Sequence, residues 1–234
     1  MDEAWALLER MEAPLELVAW ARPHGPDFEA AWDACPRPSW LMWIAGAAAL
    51  SLGDAVLVVA AWAGEVAERV PEAEALAEET LRVAERCVRR EATRAECLQV
   101  AEVADAAAQD APASFRQAPP AGYGGVASGV AWVARAAEGL MTARLRAEAA
   151  RMERAQRAAS YLGVGVSALV ENEPPIRLEA ERVLEDPFHA ELLYVVAALA
   201  EAAEALEGTL EATGAGESAA REATEILRAL FAQV

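Results

Sequence analysis

Apolar residues recur along most of the chain at the spacing of one face of an α-helix. Three stretches show this most clearly, and Glu and Arg occupy much of the opposite face. They are Leu76, Thr80, Val83, Ala84, Cys87 and Val88; Leu192, Val195, Val196, Leu199, Ala203, Leu206 and Leu210; and Ala223, Ile226, Leu227, Leu230, Phe231 and Val234. No segment has the convincing alternation of a β-strand, so the pattern predicts helices that require partner helices.

Proline and glycine clusters interrupt this pattern and divide the chain into about eight to ten helical segments. The interruptions lie at 22–28, 36–38, 70–71, 110–125, 171–175, 186–187 and 214–216. Between them Ala, Leu, Glu and Arg dominate, which are strong helix formers, and 60 of the 234 residues are Ala. The sequence therefore predicts an all-α protein, a compact bundle of about eight to ten helices, with stacked helical hairpins as the alternative packing.

The longest interruption also predicts a division into two halves. Residues 1–110 form a Trp-rich helical half, 111–125 a Pro/Gly-rich linker, and 126–234 an Ala/Glu/Arg-rich helical half. The glycines between Gly122 and Gly129 resemble a phosphate-binding loop, but no strand precedes them and no lysine follows. We interpret them as a flexible hinge that leads into the next helix.

The run from Trp40 to Gly64 is almost wholly apolar, and about 20 such residues can span a bilayer. Ser51 and Asp54 interrupt it with the S-x-x-D spacing of a helix-capping motif, and an ionised Asp54 is costly inside lipid. We therefore interpret the run as two buried helices of about 11 residues each and expect no membrane partner.

The chain is acidic, with a formal net charge of −18, an isoelectric point of about 4.5 and no lysine. This charge disfavours direct binding of DNA or RNA, which relies on cationic side chains that neutralise phosphates. The lack of lysine excludes Schiff-base, Walker-type and Ser/Lys chemistry. An acidic N-terminal segment and an odd number of cysteines favour a cytoplasmic protein with reduced, buried thiols.

Candidate catalytic and metal-binding residues are few. His24 and His189 are the two histidines, and His189 and Glu191 point in different directions on a predicted helix. Cys87 and Cys97 have apolar neighbours, which favours packed small side chains over a nucleophile or a zinc ligand. The sequence therefore predicts no enzyme active site, no metal site and no cofactor.

A cluster of aromatic and polar residues between positions 32 and 43 is the most informative segment. Its members are Trp32, Cys35, Arg37, Trp40 and Trp43. Trp40 and Trp43 share one face of a helix, Pro38 suits its first turn, and Trp32 and Cys35 belong to the preceding turn. We interpret the cluster as a structural corner in which aromatic area anchors two helices and the arginine pairs with or stacks on an indole.

The same segment resembles a known pattern. The order is Ala31-Trp32-x-x-Cys35-x-Arg37-x-x-Trp40-Leu41-x-Trp43, then Ala60-Ala61-Trp62-Ala63, Val70-Pro71, Thr80-Leu81-x-x-Ala84-Glu85, and Arg90-Glu91-Ala92-Thr93. Over residues 28–110 the chain is similar to the helical immunity proteins of bacterial polymorphic-toxin systems. Ser39 stands where that family commonly has an acidic residue. The resemblance implies a helical fold set by these motif residues and a function in toxin neutralisation.

Together these observations predict a non-enzymatic protein that binds another protein. The first hypothesis is an immunity-type inhibitor of a basic bacterial toxin domain, and the alternative is an intracellular helical adaptor or regulatory scaffold. Four acids at near-helical spacing, Glu201, Glu204, Glu207 and Glu211, are predicted to form a partner-binding stripe opposite the Leu199–Leu210 core. Five arginines between 140 and 158 are interpreted as partners of the protein's own glutamates. The sequence does not specify the partner or the oligomeric state.

Overall fold

The chain folds into ten α-helices within the residues that the structure, a computed structural model, describes: 3–24, 28–48, 51–114, 121–162, 189–215 and 219–232. The helices are α1 Glu3–Arg10, α2 Leu15–Ala21, α3 Phe28–Ala34, α4 Pro38–Ala47, α5 Leu52–Ala67, α6 Pro71–Val88, α7 Arg94–Ser114, α8 Tyr123–Leu162, α9 His189–Leu210 and α10 Ala219–Phe231. A 3-10 turn, Arg22–His24, follows α2, and a π-helical turn, Glu211–Ala215, follows α9. These ranges contain no strand, which confirms the all-α prediction.

The apolar run from Trp40 onward belongs to two separate helices, α4 and α5, as predicted. Proline at position 38 occupies the first turn of α4, where its missing N–H breaks no helical hydrogen bond. The backbone N–H of Asp54 donates to the Ser51 hydroxyl at 3.4 Å, so Ser51 caps the start of α5. Among the described residues no helix combines the length and the apolar character needed to cross a membrane.

The long helix α8 lies at the centre of the bundle. It packs against α5, α6 and α7 on one side and most extensively against α9 on the other. A single cluster of buried apolar side chains extends from α1 through α10 and so includes helices from both predicted halves. Helical structure also enters the predicted linker from both ends, because α7 continues to Ser114 and α8 begins at Tyr123.

Glycines allow α8 and α9 to approach closely. A Cβ atom added at Gly129 would lie 2.8 Å from the Leu206 Cγ and Cδ2 atoms, and one added at Gly139 would lie 2.9 Å from the Tyr194 ring. A Cβ atom added at Gly125 would lie still closer to the Thr209 hydroxyl oxygen. The glycines of the predicted hinge at 124, 125 and 129 therefore lie inside α8, and at 125 and 129 the absence of a side chain provides space for α9.

The predicted apolar stripes lie in the core. Every member of the α9 stripe is buried, and in the α6 stripe only Leu76 is partly exposed. In α10 Ala223 and Leu227 are buried, while Ile226, Leu230 and Phe231 pack against the core from its edge. Val234 lies outside the described residues.

Candidate partner-binding cleft

The connection between α3 and α4 forms the predicted corner, and Cys35 lies at its centre. The Cys35 side chain is buried, and its thiol donates to the Arg37 carbonyl oxygen at 3.3 Å. Burial raises the pKa of this thiol to about 11. A thiol with that pKa is protonated at neutral pH, so Cys35 acts as a packed, hydrogen-bonded side chain and not as a nucleophile.

Helix α10 holds the same corner from the other side. The guanidinium of Arg228 donates to the carbonyl oxygens of Trp32 at 2.9 Å and of Cys35 at 2.8 Å. Trp32 lies in the last turn of α3 and Cys35 directly follows that helix, so both carbonyls are at the helix end, where backbone donors are few. The ring of Phe231 contacts Trp32 edge to face at a centroid distance of 5.3 Å.

The two tryptophans of α4 occupy different environments. Trp43 is buried, with 8% of its surface exposed, whereas Trp40 is only partly buried and packs against Trp20 at a centroid distance of 5.4 Å. The Arg37 guanidinium lies over the Trp40 ring, 5.5 Å from its centroid, which is the stacking contact predicted from the sequence. Trp43 therefore anchors α4, and Trp40 lies at the boundary between the core and solvent.

The acidic stripe of α9 differs from its prediction at one position. Glu201, Glu204 and Glu211 are exposed, but Glu207 is buried, with 8% of its surface exposed. The reason is helical geometry, because Glu207 follows the buried Ala203 by one turn and the buried Val196 by three turns. The predicted solvent-facing stripe of four acids is therefore wrong at Glu207, which lies at the margin of the apolar face.

The carboxyl group of Glu207 has no hydrogen-bond partner for its Oε2 atom. Burial raises the pKa of this carboxyl, and the neighbouring Glu211 and Glu204 raise it further, while Arg37 acts in the opposite direction. Arg37 thus acts electrostatically on the Glu207 carboxyl and also lies over the Trp40 ring.

The corner and the exposed acids meet at a cleft between the starts of α2 and α4 and the middle of α9. Its volume is about 290 Å³, and its floor includes Trp43 and Ala200. Trp40 forms part of the wall, and Glu16, Glu201 and Glu204 stand on the rim. Arg37 also lines the cleft, so it is an aromatic recess with three carboxylates and one guanidinium around it. We refer to it as the acidic cleft.

Helix α2 contributes to this cleft, which was not predicted from the sequence. The helix has only seven residues, too few for a periodic pattern to be recognised. Its first residue, Leu15, follows Pro14 and is 84% exposed. A proline at a helix start followed by a leucine and an acid was the available signal, but such a triplet is common at ordinary helix starts.

The rim carboxylates lack ionic partners within the described part of the chain. No salt bridge there involves Glu16, Glu201 or Glu204. Two arginines of the α8 island pair with the protein's own acids, as predicted: Arg146 with Glu191, and Arg157 with Glu153 at 2.7 Å. Arg144 instead donates to the Val88 carbonyl oxygen at 2.6 Å. The three carboxylates of the acidic cleft therefore outnumber its one guanidinium, that of Arg37, and the cleft keeps a negative balance of charge.

The other candidate residues form packing contacts. The Cys97 thiol donates to the Ala134 carbonyl at 3.1 Å, and the Cys87 thiol to the Thr93 carbonyl at 3.6 Å. His24 packs against the Trp20 ring at 4.4 Å, and the side chain of His189 lies outside the described residues. Within the described ranges no group of three His, Cys, Asp or Glu residues could hold a metal ion.

Comparisons of the chain with protein families, with curated proteins and with solved structures gave no match. The similarity to immunity proteins, which depends on the motif around the corner, therefore stays a prediction.

Proposed function

We propose that this protein binds a basic protein through its acidic surface and acts as an immunity-type inhibitor of a bacterial toxin. The observation that carries the proposal is the acidic cleft, where the corner motif adjoins carboxylates that form no salt bridge with any other described residue. The motif is the segment that resembles immunity proteins, so one surface combines that similarity with a charge suited to a cationic partner.

The electrostatic argument extends beyond the cleft. A net charge of −18 on 234 residues creates a long-range field that accelerates association with a positively charged protein and slows it with a negatively charged one. Toxin domains that attack nucleic acid are commonly basic, because their substrate is a polyanion. An acidic inhibitor can occupy such a surface in place of the phosphate backbone.

The biological test uses the product of the open reading frame beside this gene. That product is expressed in a bacterial host with and without this protein, and growth is measured. We expect the neighbouring product to stop growth and co-expression to restore it. A neighbour that is harmless, or whose toxicity co-expression does not relieve, would contradict the proposed function.

The physical test measures association with the purified toxin. Reversing the three exposed acids of α9 (E201R, E204R and E211R) should lower the association rate about tenfold at low salt, and less at high salt. The melting temperature should change little, because exposed charges contribute little to stability. The control reverses three exposed acids elsewhere (E65R, E78R and E102R) and changes the net charge equally. Equal loss in both variants would assign the attraction to total charge and not to this face.

The adaptor alternative has a separate observation in its favour. Leu145 and Met152 are 54% and 41% exposed and lie two turns apart on the same face of α8. Exposed apolar side chains at helical spacing suit the docking of another helix. The double variant L145Q/M152Q should leave toxin binding intact if the immunity hypothesis is right and should abolish partner binding if the adaptor hypothesis is right.

A further inference from the structure

Two of the three cysteines lie side by side where α6 ends and α7 begins. Cys87 is the last residue but one of α6, and Cys97 is the fourth residue of α7. The carbonyl oxygen of Thr93 accepts hydrogen bonds from both residues, from the Cys97 backbone N–H at 3.2 Å and from the Cys87 thiol at 3.6 Å. This shared acceptor places the two side chains at the same turn of the chain.

The turn between the helices is built to bring them together. Arg90 has a left-handed backbone with a φ of 64°, and the N–H groups of Arg90 and Glu91 donate back to α6 carbonyls at 3.1 and 2.7 Å. These are the two hydrogen bonds of a Schellman cap, which ends a helix and reverses the chain. Thr93 and Glu96 then form a capping box that starts α7. Both ends of the turn are therefore fixed on either side of the cysteines.

The two thiols also contact each other. A hydrogen bond between them lowers the pKa of the Cys87 thiol and raises that of the Cys97 thiol, and burial raises the second further. Cys87 is therefore the thiol that ionises more readily, and Cys97 keeps its proton beside it. A thiolate next to a second thiol is the arrangement from which a disulfide forms.

The pair lies beneath a thin and exposed cover. Cys87 and Cys97 are 1% and 0% exposed, but Thr93 and the residues at 89–91 are exposed. The ion pair of Arg86 and Glu96 spans the turn at 3.7 Å, and because both side chains are well exposed it contributes little to holding the turn closed. A molecule as small as hydrogen peroxide needs only a local opening of this turn to reach Cys87.

We infer that Cys87 and Cys97 form a redox-sensitive pair, which a peroxide converts into a disulfide that links α6 to α7. The Cys87 thiolate attacks one oxygen of hydrogen peroxide, the O–O bond breaks, and a sulfenic acid and hydroxide result. The Cys97 sulfur then displaces the sulfenic hydroxyl as water and forms the S–S bond. In total two thiols lose two electrons, and one peroxide becomes two waters after the hydroxide takes up the Cys87 proton. Small thiols reverse the step by exchange.

The test treats the reduced protein with hydrogen peroxide at neutral pH, removes the peroxide with catalase, and alkylates the remaining thiols with N-ethylmaleimide in urea. Mass spectrometry should show alkylation at one cysteine in place of three, and trypsin should release residues 87–89 joined to residues 95–116.

Cys35 is the internal control for burial. It is 3% exposed, but its pKa of about 11 leaves very little thiolate at neutral pH. Its free thiol should therefore be lost at least about tenfold more slowly than that of Cys87. The variant C35A should form the bridge as the wild type does, and C97A should form none.

A second measurement tests whether the native backbone already suits the bridge. The melting temperature of the oxidised protein should rise by about 5 °C, because the cross-link restricts the unfolded chain, and dithiothreitol should reverse the rise. Three results would overturn the inference: three alkylated cysteines after peroxide treatment, a bridge that involves Cys35, or a bridge between Cys87 and Cys97 that does not raise the melting temperature.

Discussion

The tryptophan-rich corner around α4 and the interface between α8 and α9 bury apolar surface in opposite ways. At the corner, large rings meet at oblique angles, with centroid distances of 5.3 Å for Trp32 and Phe231 and 5.4 Å for Trp20 and Trp40. Between α8 and α9, glycines bring the two helix surfaces together, as at Gly129 and Leu206. One region depends on the size of its side chains and the other on their absence.

This difference explains where the acidic cleft arises. Rigid rings at a helix junction cannot fill every concavity, and the acidic cleft remains beside Trp40 and Trp43. The contrast also predicts opposite weaknesses. The corner should lose stability when a large side chain is truncated, and the α8–α9 interface should lose stability when a side chain is enlarged.

The largest effect is expected when Trp43 is truncated. Trp43→Ala should lower the free energy of unfolding by about 3–5 kcal/mol, because it removes a buried ring and leaves a cavity. Trp40→Ala should cost less, about 2 kcal/mol, since part of this ring already contacts solvent. Urea denaturation followed by far-UV circular dichroism measures both. Equal losses at the two positions would mean that they do not differ in burial.

A smaller effect is expected at the helix interface. Gly129→Val should lower the free energy of unfolding by about 1–3 kcal/mol, because the added methyl groups would overlap the Leu206 side chain. Gly208→Ala is the control: nothing lies within 4 Å of its added Cβ, and alanine should raise stability by about 0.5–1 kcal/mol through helix propensity. Stabilisation by both substitutions would show that α8 and α9 are not in close contact at Gly129.

The smallest effect concerns the buried carboxylate near the corner. Glu207→Met should raise the free energy of unfolding at pH 7 by about 1 kcal/mol, because an unpartnered buried oxygen is replaced by apolar atoms. Arg37 keeps its contact with Trp40 and its access to solvent in this variant.

The pH dependence of that gain follows from the raised pKa of Glu207. The native state binds this proton more tightly than the unfolded chain does. The protonated carboxyl therefore contributes its full stability below the ordinary pKa of 4.5. That contribution is lost as the pH rises through the raised pKa of the native state. The advantage of Glu207→Met should therefore shrink toward pH 4. Glu201→Met, at an exposed position of the same helix, is the control, and equal pH dependence in the two variants would contradict the burial of Glu207.

Much of the fold could be predicted from sequence because periodicity and propensity agree along the helices. The α9 stripe and the separation of α4 from α5 followed from local signals such as the Ser51 cap. The role of Gly125 and Gly129 could not be predicted, since glycine indicates a hinge as readily as a close approach until the facing helix is known.

The sequence indicated separate residues of the candidate site but not that they lie together. Trp40 and Glu201 were identified separately, but their meeting depends on the packing of α4 against α9, more than 150 residues later in the chain. The burial of Glu207 was missed because a spacing of three residues drifts around a helix, and the drift brings this position to the apolar margin. No local pattern indicated that α2 would supply Glu16.

The two hydrogen bonds from Arg228 have a consequence for how the protein is made. They join residues up to 196 positions apart, so neither bond to Trp32 or Cys35 can form until most of the chain has been synthesised. At about 5–20 residues per second, the ribosome needs roughly 10 to 40 seconds to reach α10 after the corner has emerged. During that interval the carbonyl oxygens of Trp32 and Cys35 lack the Arg228 donor. We therefore expect the corner to reach its native hydrogen bonding late, once α10 has emerged.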